Sequence, residues 1–183
     1  MHEPGLALGL PLQTSRVTVR PLRPSDLAQF CRYRADPVVA RYQSWSPMSE
    51  ERSLDFLREM STAGALVPDK WIQLAIASRE TDFLIGDIGL FLDRDAESAE
   101  IGFTLARENQ GQALASEAVA LVVESVFASS RVVKVRGVTD ARNAASIRLL
   151  ERVGFGKVSE HQATFDGEAC TEYVFERVCD RIR

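Results

Sequence analysis

The chain has 183 residues, of which 45% are hydrophobic and 26% charged, and its formal net charge at pH 7 is -4. This length buries a core without disulfides or a metal, and a mildly acidic balance argues against nucleic acid as the main partner, because phosphate binding needs clustered Lys and Arg. Three cysteines without CxxC spacing indicate free thiols in a reducing compartment, so we expect a cytoplasmic protein. No apolar run has membrane-spanning length. Two histidines leave a histidine-based metal centre almost without ligands, so no metal is expected.

The first part of the chain predicts a leader, a strand and two helices. Residues 1–13 are expected to form a mobile leader, because their apolar stretch lacks a basic start and is interrupted by prolines. Residues 14–179, without repeats or a shift in composition, are expected to form one domain. Residues 17–22 alternate as a strand, and Ser25 is predicted to cap a helix that reaches about Arg34. A second helix is predicted to begin after Ser49.

From Lys70 onward the hydrophobic period changes from that of helices to that of strands. Two apolar runs separated by a short polar turn predict a hairpin, and a third strand follows it. A helix that is apolar almost all round then predicts a buried position. The predicted elements are strands over 71–77, 83–92 and 99–105, a helix over 111–129, a strand over 132–138, a helix over 143–152 and strands over 157–162 and 170–178. This order predicts an α/β (α+β) fold, a mixed sheet with helices packed on it.

Small residues recur at the start of the long predicted helix. They let the backbone approach a ligand closely, and the free N–H groups of a helix's first turn, with the helix dipole, favour an anion. The alternative is that small residues open the helix for packing alone, since a helix start binds an anion only when it is exposed. The predicted anion site comprises Gln110, Gly111, Gln112, Ala113, Leu114, Ala115 and Ser116.

A second segment, residues 143–155, reads Asn-x-x-Ser-x-x-Leu-x-x-x-x-Gly-Phe. Together the two segments resemble the GNAT N-acetyltransferase superfamily. Gln110-x-x-Ala113-x-Ala115 is similar to its (Gln/Arg)-x-x-Gly-x-(Gly/Ala) pyrophosphate loop. The second segment is similar to a signature of the RimJ/RimL-type branch, which modifies ribosomal-protein N-termini, and residues 14–22 and 41–45 resemble the same branch. The resemblance covers nearly the whole chain.

The resemblance implies the GNAT acyl-CoA N-acyltransferase fold, with a mostly antiparallel sheet of about six or seven strands and about four helices. It implies transfer of an acetyl group from acetyl-CoA, as co-substrate, to a primary amine by direct attack on the thioester. The acceptor would be a protein N-terminus or a small amine such as an aminoglycoside or a polyamine. A homodimer is a further expectation from relatives, and neither nucleic acid nor a membrane is an expected partner.

The resemblance also implies chemical roles for particular residues. Glu100 is the first candidate for the general base, because it shares a strand face with Gly102 and Thr104 and stands where histone-acetylating relatives carry their base. The alternative is a solvated Glu100, with a water chain removing the proton. Backbone N–H groups near Phe103, Thr104 and Leu105 would meet the oxyanion. Ser146 would protonate the leaving thiolate, or it packs against the cofactor arm.

Other residues are assigned positioning roles or remain open. Asn143 is expected to position the cofactor through hydrogen bonds, and Tyr42 and Trp45 to wall the acceptor site, with core packing as their alternative. Arg148 and Arg152 either reach cofactor phosphates or lie at the surface. Residues 51, 55 and 59 form an acidic row, which is either a solvated face or an attractor of cationic amines.

Two departures from the family pattern weaken the assignment. Ala113 stands where a glycine is expected, and a left-handed backbone there would strain the loop and weaken cofactor binding. Leu150 stands where many members of the superfamily carry a tyrosine that donates a proton. These departures support an alternative function, a catalytically silent acyl-CoA-binding sensor or scaffold.

Overall fold

The computed structural model describes residues 6–62, 65–165 and 167–180. The strands of this part of the chain are β1 (Leu6–Ala7), β2 (Leu12–Gln13), β3 (Val17–Pro21), β4 (Ala65–Leu66), β5 (Trp71–Ser78), β6 (Leu84–Leu92), β7 (Ser98–Leu105), β8 (Lys134–Asp140), β9 (Gly156–Phe165) and β10 (Glu168–Val178). The α-helices are α1 (Leu27–Arg34), α2 (Pro37–Ala40), α3 (Glu50–Ser61), α4 (Leu114–Ser129) and α5 (Ala144–Arg152).

Eight strands form one mixed sheet in the order β2-β3-β5-β6-β7-β8-β10-β9, and β1 pairs separately with β4. All neighbours in the large sheet are antiparallel except β7 and β8, which are parallel. The mixed sheet predicted from the order of elements, and the mostly antiparallel arrangement that the resemblance implies, are therefore confirmed, with β2 as an additional strand. The β7–β8 pairing runs only from Ser98 opposite Lys134 to Glu100 opposite Arg136. Beyond this point the two strands have no common register.

Each face of the sheet carries its own layer of helices. On one face, α4 and α5 pack on apolar side chains of β5, β6, β7 and β8. The inner positions of α4 have no exposed surface, namely Ala118, Val119, Val122, Val123 and Val126. On the other face, α1, α2 and α3 bury Phe30, Leu57 and Met60 against Ala75. Full burial of each large apolar side chain stabilises the fold by roughly 1.5–3 kcal/mol, so this packing holds the helix layers on the two faces of the sheet.

The structure corrects the expectation of a mobile leader over 1–13 for the residues that it describes. Leu8 is 2% exposed and belongs to the main core, and Leu12 pairs with Val19 of β3. The carbonyl of Leu8 also accepts a hydrogen bond from the Ser125 hydroxyl at 2.8 Å. Residues 1–5 lie outside the described part of the chain. The segment 6–13 is thus part of the domain, because Leu8 lies in the main core and Leu10 and Leu12 pack against it.

Ser25 does not cap α1, so this prediction was wrong. Residues Pro24–Asp26 form a 3-10 turn, and α1 begins at Leu27. The physical reason is a buried ion pair: Arg20 donates from Nη1 to Asp26 at 2.9 Å, which fixes the chain one residue beyond Ser25. The cap of α3 is confirmed, since the Ser49 side chain accepts a hydrogen bond from the Arg52 N–H.

Candidate active site

A cleft opens where β7 and β8 part. It has a volume of about 1120 Å³ and lies between the ends of these strands, the loop before α4 and the first turns of α5. The segment that follows α2 closes its other side. Because β7 pairs with β8 only up to Glu100, no described strand pairs with the edge of residues 101–105 that faces β8. Backbone N–H groups of this edge are therefore free to bind a ligand.

The loop before α4 lines one half of the cleft, called here the cofactor half. Gly111 has a φ of 78° and Ala113 a φ of 60°, so both adopt the left-handed conformation. Ala113 is the N-cap residue of α4, and no side chain caps the helix there. The first-turn N–H groups of α4 are consequently available to an anion in the cleft. The structure thus shows the strained backbone at Ala113, where the family pattern has glycine.

Two glutamines of the loop serve the loop itself. Gln110 donates from Nε2 to the Leu105 carbonyl at 2.9 Å, which ties the loop to the end of β7. The side chain of Gln112 points to the Glu108 carbonyl, at 3.5 Å, and Gln112 does not line the cleft. The other predicted residues of the loop do line it, namely Gln110, Gly111, Ala113, Leu114, Ala115 and Ser116.

Helix α5 supplies the opposite wall of the cofactor half. Asn143 is its N-cap, and its side chain accepts a hydrogen bond from the Ser146 N–H at 3.1 Å. Ser146 is half-buried and lines the cleft, as do Arg148 and Arg152. Arg152 reaches the Ser116 hydroxyl of α4 at 3.4 Å. Two guanidinium groups close to a helix N-terminus make this end of the cleft electropositive.

Leu150 is 1% exposed and packs over Gly137 of β8. A Cβ on Gly137 would lie 2.9 Å from Leu150 Cδ2, so the leucine fills the space above this glycine. Leu150 lines the cleft with hydrocarbon only. A proton donor at this position of α5 is therefore absent from the described site.

Glu100 lines the cleft, as do Gly102 and Thr104, which share its strand face. Its carboxylate forms an ion pair with Arg136 of β8, with Nη2 at 2.7 Å and Nε at 3.2 Å from the same oxygen, Oε2. Hydrogen bonding to Glu100 raises the pKa of Arg136 above its ordinary value. Phe103 and Leu105 also line the cleft. Sequence reasoning missed Arg136, because cross-strand pairing of β7 with β8 cannot be read from local spacing.

Tyr42 and Trp45, the two predicted walls of the acceptor site, occupy different environments. Tyr42 lines the cleft, whereas Trp45 does not. Instead the Trp45 ring lies on the guanidinium of Arg34, whose Cζ is 4.5 Å from the ring centroid. Phe30 covers the guanidinium at 4.2 Å. The packing alternative therefore describes Trp45 in this structure.

Arg34 belongs to a buried polar cluster under the sheet. Asp87 of β6 has no exposed surface and accepts hydrogen bonds from Tyr33, Gln73 and, at 3.2 Å, Arg34 Nη2. Burial raises the pKa of Tyr33 well above its ordinary value, and the Asp87 charge adds to this rise. The neutral phenol and the arginine thus satisfy a carboxylate that water does not reach.

The other half of the cleft, called here the acceptor half, contains residues that the sequence did not single out. His161 of β9 lies 3.1 Å from the Glu172 carboxylate of β10, and both line the cleft. Trp71 and Val38 line it as well, with 49% and 52% of their surface exposed. Trp71 is the first residue of β5, and the sequence predicted it only as part of a strand. The acidic row of α3, residues 51, 55 and 59, does not line the cleft, and Asp55 is paired with Arg58 at 3.0 Å.

Neither a metal site nor a membrane-spanning helix is found in the part of the chain that the structure describes. No group of three or more His, Cys, Asp and Glu side chains there is arranged to hold a metal ion. No helix in those residues has the length and apolar character needed to cross a membrane.

Comparison with known proteins identifies the class to which this fold and cleft belong. A family model described as an acetyltransferase (GNAT) domain matches residues 16–156, so the chain belongs to the GNAT acetyltransferase family. It is 30% identical over 151 residues to a Bacillus licheniformis protein named uncharacterized N-acetyltransferase p20, and the match covers 80% of this chain and 82% of that protein. The resemblance that the sequence predicts is thereby confirmed at the level of the family.

Solved structures show the same fold. A GNAT-family acetyltransferase from Bacillus anthracis superposes with a TM-score of 0.81 at 18% identity, covering 92% of this chain and 98% of that one. RimL, a ribosomal L7/L12 alpha-N-protein acetyltransferase solved in complex with coenzyme A, gives a TM-score of 0.79 at 15% identity, with 91% and 96% covered. At these identities the likeness establishes the fold alone.

Proposed function

We propose that this protein transfers an acetyl group from acetyl-CoA to a primary amine. The observation that carries the proposal is the uncapped start of α4, whose free N–H groups face a cleft between two diverging strands. Membership of the GNAT family supports it. The RimL structure, which contains coenzyme A, supports acetyl-CoA as the co-substrate.

The cofactor half has the charge and shape for a CoA pyrophosphate. The N–H groups of residues 111–116 supply donors, and Arg148 and Arg152 supply positive charge on the opposite wall. No carboxylate of the described residues lines this half; Glu100 and Asp140 lie on the strands at its border. Asn143 shapes the start of α5 as a cap. The proposed binding residues are thus the loop backbone and the two arginines.

In the proposed reaction, the amine nitrogen attacks the thioester carbonyl carbon, a C–N bond forms, and the C–S bond breaks with release of the CoA thiolate. Backbone N–H groups of Phe103 and Leu105 would stabilise the oxyanion, because the strand edge that faces β8 lacks a described partner there. The N–H of Thr104, predicted as a third donor, faces β6 instead, since successive N–H groups of a strand point to opposite edges. Glu100 is the proposed proton acceptor. Both Arg136 hydrogen bonds go to its Oε2, which leaves Oε1 without a hydrogen bond from the described residues. Ser146, on the α5 wall, is the proposed proton donor to the thiolate, directly or through water.

The acceptor is proposed to be a protein N-terminus or a small amine. The fold of RimL, which is named for acetylation of a protein α-amine, supports the first class. A second function, an acyl-CoA-binding module without catalysis, is favoured by one observation. Leu150 fills the position from which many family members donate a proton.

Free thiol released from acetyl-CoA in the presence of an amine panel distinguishes the two functions. An acetyltransferase releases thiol with at least one amine. Binding of CoA in calorimetry, without thiol release for any amine, would establish the silent module instead.

A matched pair of glycine variants tests the cofactor half. Gly111 and Gly9 both have positive φ, and a Cβ would find nothing within 4 Å at either. We expect Gly111→Ala and Gly9→Ala to lose similar stability, about 1 kcal/mol, because each forces a side chain into the left-handed region. Only Gly111→Ala should weaken CoA binding, and equal CoA affinity of the two variants would contradict the assignment.

A further inference from the structure

A row of side chains crosses the acceptor half of the cleft. Trp71 is opposite Phe91, Phe91 opposite Glu100, and Glu100 opposite Arg136, on four adjacent strands. Cross-strand partners project from the same face of a sheet. The aromatic pair and the ion pair therefore share one face, and Trp71 and Phe91 pack with their ring centroids 5.5 Å apart.

The next row carries two glycines, Gly89 opposite Gly102. A Cβ on Gly89 would lie 3.2 Å from Trp71 Cζ3, so the indole leans over this glycine. A Cβ on Gly102 would find nothing within 4 Å, so the floor beside the indole is open. About half of the Trp71 surface remains exposed in the cleft. The Gln73 side chain also covers Gly89, with its Oε1 3.0 Å from where a Cβ would lie. The result is a depression with an aromatic wall and an open floor at Gly102.

Two of the three carboxylates around this depression are paired with arginines. Among the described residues, the carboxylates that line the cleft are Glu100, Asp140 and Glu172. Arg136 pairs with Glu100 at 2.7 Å and Arg142 with Asp140 at 2.7 Å, while His161 lies 3.1 Å from Glu172. Arg41 lines the cleft as a further cation. Additional ammonium groups of a substrate would meet carboxylates that arginines already pair, so each gains less here than beside an unpaired carboxylate.

From the indole wall, the glycine floor and the paired carboxylates we infer that the acceptor is a monoamine on an apolar, flat carrier, with Trp71 as a specificity-determining residue. This inference rests on the proposed acetyltransferase function. The apolar carrier contacts Trp71 above Gly102, and its amine reaches the thioester beside β7. Aromatic and aliphatic walls of this kind bind through burial of apolar surface. Polyamines and aminoglycosides are disfavoured, because they carry several ammonium groups.

The test compares three amines with the full-length protein and acetyl-CoA: 2-phenylethylamine, n-butylamine and spermidine. We expect kcat/KM for thiol release to be highest with 2-phenylethylamine and lowest with spermidine. Trp71→Ala should lower the value for 2-phenylethylamine about tenfold, because a ring contact is lost, and leave n-butylamine within about twofold. Trp71→Phe should restore most of the loss. Phe83→Ala is the matched control, since Phe83 is 63% exposed and does not line the cleft.

The other outcomes overturn the inference or separate it from the proposed function. A preference for spermidine, or an equal loss with all three amines in Trp71→Ala, overturns it. If no amine releases thiol while CoA still binds, the proposed function fails. The apolar site is then tested by amine binding alone. In Trp45→Phe, Trp71 is the remaining tryptophan of the chain. Quenching of its fluorescence by 2-phenylethylamine and not by spermidine then supports the apolar site, and absence of quenching overturns it.

Discussion

Ala113 offers a test of the loop geometry, because its backbone has φ 60° and ψ 11°. A side chain in the left-handed region costs about 1–2 kcal/mol, a penalty that glycine does not have. Relative to alanine, glycine lowers the stability of the folded protein by about 0.4–1 kcal/mol, because it gives the unfolded chain more conformational freedom. Ala113→Gly should therefore raise the free energy of unfolding by about 0.5–1 kcal/mol. For a protein of this size, that raises the melting temperature by about 1–4 °C.

Thermal unfolding followed by circular dichroism, without ligand, measures this change. Ala120→Gly is the matched control, since Ala120 lies in the interior of α4 and outside the cleft lining. The same replacement there should lower stability by about 1 kcal/mol, because glycine is a poor helix former. A melting temperature of Ala113→Gly at or below that of wild type would refute the left-handed conformation of residue 113 in solution.

Three further variants test the buried cluster, the proposed base and an ion pair at the start of α4. Arg34→Met leaves the buried Asp87 carboxylate without its arginine, so urea unfolding should show the free energy of unfolding reduced by about 3 kcal/mol; a reduction near zero would contradict the buried pairing of Arg34 with Asp87. Glu100→Gln should lower kcat about 100-fold, because it removes the proposed proton acceptor, and an unchanged kcat would exclude Glu100 as the base. The hydrogen bond from Arg16 lowers the pKa of Glu117 in the folded protein. This carboxyl therefore stabilises the fold at a pH above its unfolded-state pKa of about 4.3. The stabilisation is lost as the pH falls through the lower pKa of the folded state. The melting temperature of Glu117→Gln should therefore be lower than that of wild type at pH 7 and equal to it near pH 2. A difference in melting temperature that is the same at every pH would contradict the pairing.

The sequence predicts those parts of the fold whose signal is local. The hairpin of β5 and β6 follows from two apolar runs around a polar turn, and α4 follows from its apolar surface on every side. The packing of Leu8 could not be predicted, because its partners lie in the distant helix α4 and sheet. Ser25 gave a false cap signal, since the Arg20–Asp26 ion pair decides where α1 begins.

The candidate site likewise contains residues that a local sequence pattern predicts and residues that only the fold brings together. The loop at 110–116 is contiguous in sequence, and six of its seven residues line the cleft. Trp71 and Arg136 enter the site through strand pairing, so no spacing rule along the chain connects them to Glu100. The sequence around Trp45 predicts an aromatic wall of the acceptor site. In the structure its ring packs on the buried guanidinium of Arg34 and does not line the cleft.

A crystal structure of the protein with CoA tests the central claim most directly. We predict that the pyrophosphate accepts hydrogen bonds from the N–H groups of residues 111–116 and that the pantetheine arm enters between β7 and β8 beyond Glu100. CoA bound elsewhere on the surface, or a structure in which the first turn of α4 does not contact phosphate, would contradict the assignment of this cleft.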